Sequence, residues 1–222
     1  MSMKNGHLEK TPDNHRAIIQ EIFGLRNALT HAHEKHDVSS SLLVSLEPGM
    51  GTTTVSIALA LGLCWDRKTR VTIVDANFQR PTLHEAFNLP IEEGLREFLA
   101  GENGICHVMK KTGVPNLRVV SCGDPALNPE IQYERFPLAM EELKTVSDFI
   151  LIDSAAISTN PQAYFWSSYF DCITLVVEAN KVENSQLNET LNQFKHAQAK
   201  ILGVVMNREK NLKDNSWHGF LK

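Results

Sequence analysis

Apolar positions along the chain follow two alternating rhythms. Ile18, Ile19, Ile22, Leu25 and Leu29 recur at helical intervals, which predicts an amphipathic helix from Asn14 to about Lys35. Short, nearly continuous apolar runs follow at 41–46, 70–75, 117–121, 148–153, 172–178 and 200–206. Helical patterns fill the gaps near 53–66, 80–100 (with a break at Pro90), 134–146, 160–169 and 184–198. Strands that are apolar throughout and separated by helices imply a mostly parallel sheet covered on both faces, with right-handed crossovers. The expected fold class is therefore α/β, a doubly wound, mostly parallel sheet with helices on both faces. The expected organisation is a flexible arm over 1–13, a single domain over 14–208 and a C-terminal tail over 209–222.

Ligands of such sheets gather at the carboxyl ends of the strands, and three of these ends are polar here. After the first strand comes Leu46-Glu47-Pro48-Gly49-Met50-Gly51-Thr52-Thr53-Thr54, a glycine turn running straight into a helical pattern. Gly49 and Gly51 let backbone N–H groups curl toward an anion, with Met50 between them. The arrangement has the layout of a phosphate-binding loop, G-x-x-x-x-G-K-[ST], but Leu46 stands at the first glycine and Thr52 at the lysine. Thr53 is placed to give its hydroxyl to magnesium or to N-cap the helix, and the Thr54 hydroxyl is placed to reach an α-phosphate. The second strand ends in Asp75-Ala76-Asn77 and a later one in Asp153-Ser154. Thr53, Asp75 and Asp153 together suit a magnesium–triphosphate cradle for ATP or ADP. Asn77 cannot act as a general base, because an amide does not accept a proton at neutral pH.

Composition narrows the function. Lys plus Arg total 22 against 26 for Asp plus Glu, a net charge of −4, which argues against nucleic acid as the main partner. No apolar stretch approaches a membrane span, and the polar N-terminus lacks a signal-peptide core, so a cytoplasmic protein is expected. Cys64, Cys106, Cys122 and Cys172 form no CxxC pair and are expected to be small buried hydrophobes. His31, His33 and His36 are expected at the surface of a helix end.

Several motifs also resemble one family. Val74-Asp75-Ala76-Asn77-Phe78-Gln79-Arg80-Pro81-Thr82-Leu83-His84, followed by Gly94-Leu95 and Glu97 to Gly101, is similar to the D-A-D-[LM]-R-R-P-x-L-H and G-L-x-x-x-L-x-G of bacterial tyrosine kinases. These are the P-loop proteins of capsule and exopolysaccharide synthesis, related to the ParA/MinD ATPases. Gly123-Asp124-Pro125-Ala126-Leu127-Asn128-Pro129 resembles the family's G-x-x-x-x-N-P. Ser147 to Ala156 resembles its F-D-x-I-[IL]-[IL]-D-[TS]-P-P, and Ile201 to Asn207 its V-L-G-V-V-[LM]-N. The resemblance spans about residues 15–208. It implies that Asp75, Asp153 and the position of Asn77 carry the chemistry, that Asn207 faces the adenine base unless it only caps the turn after its strand, and that Arg80 contacts phosphate or a partner unless it is simply solvent-exposed.

The same comparison implies impaired chemistry. Lysine is replaced by Thr52, the second aspartate of D-x-D by Asn77, the next arginine by Gln79, and the diproline by Ala155-Ala156. The family's E-x-x-R-x-x-R assembly motif is reduced to Gln20, Phe23 and Arg26. Its C-terminal tyrosine cluster has no counterpart, since the only tyrosines are Tyr133, Tyr164 and Tyr169. The expectation is a kinase-like regulator of exopolysaccharide or capsule production, with weak or no binding of ATP, ADP and Mg2+. Its expected partners are a membrane-embedded chain-length or export protein, or an active kinase paralogue, with homo-oligomers an option and membrane contact indirect or weak. Trp217, Phe220 and Leu221 form an amphipathic candidate in the tail. The alternative is an active autokinase or ATPase with a relocated lysine. A ParA/MinD-type positioning ATPase is disfavoured, since no lysine occurs from Ser39 to Arg67.

Overall fold

The computed structural model describes residues 13–125 and 131–208, with side chains from residue 22 onward. The Asn128-Pro129 motif, most of the arm over 1–13 and the tail aromatics lie outside the described residues. The chain opens with α1 (Asp13–His36) and β1 (Ser40–Ser45), followed by α2 (Thr52–Leu63) and β2 (Val71–Ala76). Two short helices, α3 (Leu83–Ala86) and α4 (Leu95–Leu99), precede β3 (Met109–Lys111) and β4 (Leu117–Val120). Then come α5 (Phe136–Val146), β5 (Phe149–Ser154), α6 (Ala163–Trp166), β6 (Cys172–Glu178), α7 (Asn184–His196) and β7 (Ile201–Asn207).

The strands form one sheet in the order β3-β4-β2-β5-β1-β6-β7. All neighbours are parallel except β3 and β4. Side chains alternate across such strands, so each face receives every second residue. Leu42, Val44, Val74, Ile150, Ile152 and Leu175 pack one face against Phe98, Phe136, Trp166 and Phe194. Leu43, Ile73, Leu151 and Val176 pack the other against Leu29, Val55, Leu59 and Leu83. Both faces are buried, which is why the strands read as unbroken apolar runs. The chain leaves β1 toward β2 on one side, and β6 lies on the other, so the carboxyl end of β1 sits where the winding reverses.

Five expectations need correction. The helix expected over 80–100 is two short helices, α3 and α4. Asn88 adopts a left-handed φ of 51° between them, and Pro90 has no N–H to continue a helix. Gly94 then runs directly against the carbonyl of Ser121, which also accepts the Leu95 N–H at 2.8 Å. The helix over 160–169 shortens to α6 with a single 3-10 turn over Ser167–Tyr169. β3 was not anticipated, because only Met109 of its three residues is apolar and it is an edge strand. Cys106 is exposed in the turn before β3, while Cys64, Cys122 and Cys172 are buried. His33 is also only half exposed, its ring lying 4.9 Å from that of Phe149.

A methyl group at residue 94 would meet the backbone of Ser121 and Gly123, neither of which can yield easily. Gly94→Ala should therefore lower stability by roughly 2–3 kcal/mol in urea denaturation. Gly113→Ala, where a Cβ meets nothing, should stay within about 0.5 kcal/mol of the parent.

Candidate functional site

β1 ends at Ser45 and α2 begins at Thr52, so six residues must reverse the chain. Gly49 and Gly51 do this with φ of 82° and 90°, in the left-handed region open to glycine. Gly51 is the N-cap residue of α2, and no side chain caps the helix. The first amides of α2 therefore sit at the mouth of the loop without a side-chain acceptor. Thr53 lies inside the first turn, so N-capping is not its role. Met50 and Thr52 are buried, whereas Thr54 points to solvent.

Neighbouring strand ends brace this loop. The Ile157 N–H donates to Ser45 O at 2.9 Å and the Ser158 N–H to Leu46 O at 3.1 Å. The Ser158 hydroxyl donates to Glu47 Oε2 at 2.7 Å. From the far edge, Asn207 Nδ2 donates to Met50 O at 2.8 Å. Gln79 Nε2 donates to Thr159 O at 2.7 Å, joining the loop after β2 to the loop after β5.

The two carboxylates lie on the α2 side of the sheet, because Asp75 continues the alternation of Val71 and Ile73, and Asp153 that of Phe149 and Leu151. They are direct partners in the β2–β5 register, and both are essentially inaccessible to solvent. Thr53 Oγ1 donates to Asp153 Oδ2 at 2.7 Å, and Ser56 Oγ to Asp153 Oδ1 at 3.0 Å. Ser56 was not anticipated; its signal is the three-residue spacing from Thr53, which places both hydroxyls on one side of α2. Asp75 is turned to its own loop. Its Oδ2 accepts the N–H groups of Thr82 and Leu83 at 3.0 Å each, and its Oδ1 that of Asn77 at 3.1 Å. The Asn77 side chain accepts the Arg80 N–H at 3.1 Å, and Arg80 itself is exposed. The fold thus brings the glycine loop, Thr53, Asp153 and Asp75 together, with Asn207 against the loop. Arg80 and Thr54 stand at the rim.

Arg96 was also missed. Its buried guanidinium lies 5.2 Å from the Phe78 ring centroid and donates to Phe78 O at 2.6 Å, which fixes the loop after β2. Among the described residues, no group of three or more His, Cys, Asp and Glu side chains is assembled to hold a metal. A magnesium ion does not need one, since it retains waters and takes only one or two carboxylates beside phosphate oxygens.

Burial pushes the Asp153 carboxyl up to about 7, with the hydroxyl of Thr53 opposing and the neighbouring Asp75 adding to the rise. Burial likewise pushes Asp75 up to about 6, against the three backbone donors. Each group binds its proton more tightly when folded. Its stabilising contribution is complete below about pH 4 and is lost as pH rises through its folded value. Asp153→Asn keeps the shape and removes the charge, so it should melt on the order of 5 °C above the parent at pH 8. The gap should close as pH falls toward 4 in thermal denaturation monitored by circular dichroism.

This geometry defines a class: an α/β P-loop protein of the ParA/MinD-like kind. No protein-family model matches the chain. It is 27% identical over 209 residues to the putative tyrosine-protein kinase CapB of Staphylococcus aureus, covering 93% of this chain and 91% of that relative. It is 29% identical over 191 residues to tyrosine-protein kinase Ptk of Acinetobacter johnsonii, covering 84% of this chain but only 26% of Ptk. Among solved structures, the chimerical protein CapA2B2 superposes with a TM-score of 0.77 at 25% identity, over 91% of this chain and 87% of that one. The kinase domain of the Escherichia coli tyrosine kinase ETK gives 0.78 at 19% identity, over 98% of this chain and 89% of that one. MinD of Pyrococcus horikoshii, complexed with Mg-ADP, gives 0.66 at 24% identity, over 78% of this chain and 71% of that one. The chain is thus similar to bacterial tyrosine kinases in sequence and shares the fold of their kinase domains and of MinD.

Proposed function

We propose that this chain is a catalytically impaired, tyrosine-kinase-like P-loop protein that regulates capsule or exopolysaccharide biosynthesis or export through protein contacts, with nucleotide as a ligand. The observation that supports this reading is a hydroxyl–carboxylate pair under a glycine loop that has no lysine. Thr53 and Asp153 are joined at 2.7 Å beneath a properly curled glycine loop, while buried Thr52 occupies the lysine position. These residues fit magnesium and a triphosphate. Gly49 to Thr54 would take the phosphates, and Thr53 with Asp153 and Asp75 would hold the ion or its waters. A bound ion would also relieve the cost of two buried carboxylates side by side.

Phosphoryl transfer needs more than a cradle. It depends on positioning and on positive charge at the β- and γ-phosphates. Hydrogen bonds to charged groups are worth about 1.5–3 kcal/mol, and a threonine hydroxyl supplies no charge. Asn77 in turn offers no basic oxygen, and its side chain is spent on the Arg80 N–H. The acceptors are poorly presented as well. Tyr133 packs against Phe78, Phe136 and Trp166, Tyr164 against Phe194, and Tyr169 against Phe165. None of these three tyrosines is fully exposed.

The output of such a protein is contact with others. A membrane-embedded chain-length or export protein, or an active kinase paralogue, is the proposed partner, and a second copy of the chain is a further one. Among the described residues no helix is long and apolar enough to cross a membrane, so recruitment to the inner face of a membrane would go through that partner.

Titration calorimetry with ATP and ADP in magnesium tests the reading. The parent should bind in the micromolar range, and Thr52→Lys should bind ATP about tenfold or more tightly. Absence of binding by both would contradict a nucleotide-responsive protein.

A further inference from the structure

Asn207 closes β7, the edge strand, and yet reaches the centre of the site. Its Nδ2 donates to Met50 O at 2.8 Å, its Oδ1 accepts the Arg208 N–H at 3.0 Å, and its own carbonyl accepts the Ala179 N–H at 2.9 Å. The amide group also lies directly over Gly51, where a Cβ would fall on Nδ2. Each polar end of the side chain is therefore engaged once with protein.

The geometry points to Asn207 as a positioning residue of the glycine loop. A trans peptide is planar, with its C=O and N–H pointing in opposite directions. Holding the Met50 carbonyl toward β7 therefore turns the Gly51 N–H away from β7. That amide is the last one before α2 begins, so its direction decides whether loop and helix present one continuous row of donors. Gly51 meets two demands at once: a φ of 90°, and room for the Asn207 amide. Met50 is buried in the core on one side and tied to Asn207 on the other, so the loop cannot shift without moving β7.

The ligand arm of the test rests on the nucleotide reading above, and the loop arm does not. In the ligand-free full chain, hydrogen exchange at Val55 and Ser158, whose N–H groups donate to Gly51 O and Leu46 O, should quicken about fivefold in Asn207→Ala, the scale of one neutral hydrogen bond. Asn207→Asp should quicken it more, because a carboxylate would face the Met50 carbonyl. If Asn207→Ala does not fold, Gly51→Ala approaches the contact from the other side and should quicken exchange at Arg208. Affinities for the magnesium complexes of ATP, GTP and inorganic tripolyphosphate should then fall by one common factor in Asn207→Ala. Unchanged exchange at Val55 and Ser158 would overturn the inference. So would loss of ATP-over-GTP preference with tripolyphosphate binding unaltered, which is the signature of a base reader. If the parent binds none of the three, the nucleotide reading fails, and the exchange result alone decides the role of Asn207.

Discussion

Two carboxylates stand next to each other inside this sheet, and the arrangement of the site follows from what they need. Asp75 and Asp153 share a register position on β2 and β5 and have almost no contact with water. Buried carboxylates must find hydrogen-bond donors or a cation, or else take up protons. Asp153 takes the hydroxyls of Thr53 and Ser56, which fixes the first turn of α2 above the end of β5. Asp75 takes three backbone N–H groups and so folds the segment 77–83 back over the end of β2. The glycine loop lies beside this pair, braced by residues 157–158 and by Asn207. Removing either carboxylate's partners would leave an uncompensated group at the point where β1, β2 and β5 meet.

The same arrangement separates holding a ligand from transforming it. Helix N-terminus, glycine loop and Thr53 depend on backbone course and on one hydroxyl, and these are in order. Charge at the β- and γ-phosphates depends on the side chain at position 52, which is a buried threonine. Loss of the second acidic position at Asn77 does not collapse the loop after β2, because the amide still accepts the Arg80 N–H. Gln79 keeps that loop tied to Thr159 through an uncharged bond. On the proposed reading, Thr52, Asn77 and Gln79 keep the shape of the family's site while lacking its charge and basicity.

The doubly wound sheet was legible because its strands are buried on both faces, which leaves a strong apolar signal in the chain. Six strands and the glycine turn were visible on that account. β3 was hidden, since an edge strand reading Met109-Lys110-Lys111 carries little apolar pattern. The break between α3 and α4 was only half visible. Pro90 marks it, but the approach of Gly94 to Ser121 is a contact made through tertiary structure. At the site, Thr53, Asp75 and Asp153 could be picked out because each sits at a strand end or a helix start. Ser56 is marked only by its spacing from Thr53, and Arg96, beside Glu97 in a short helix, has an ordinary surface reading. Asn207 was found by resemblance, but its bond to Met50 joins residues 157 positions apart and leaves no local trace.

On the proposed reading, the cradle has outlived the chemistry. The most direct test is the intact mass of the parent protein after prolonged incubation with ATP and magnesium. The account predicts an unchanged mass, with Tyr133, Tyr164 and Tyr169 unmodified. A shift by one phosphate, mapped to any of these tyrosines, would contradict it and make the chain an active autokinase with its cation supplied from elsewhere.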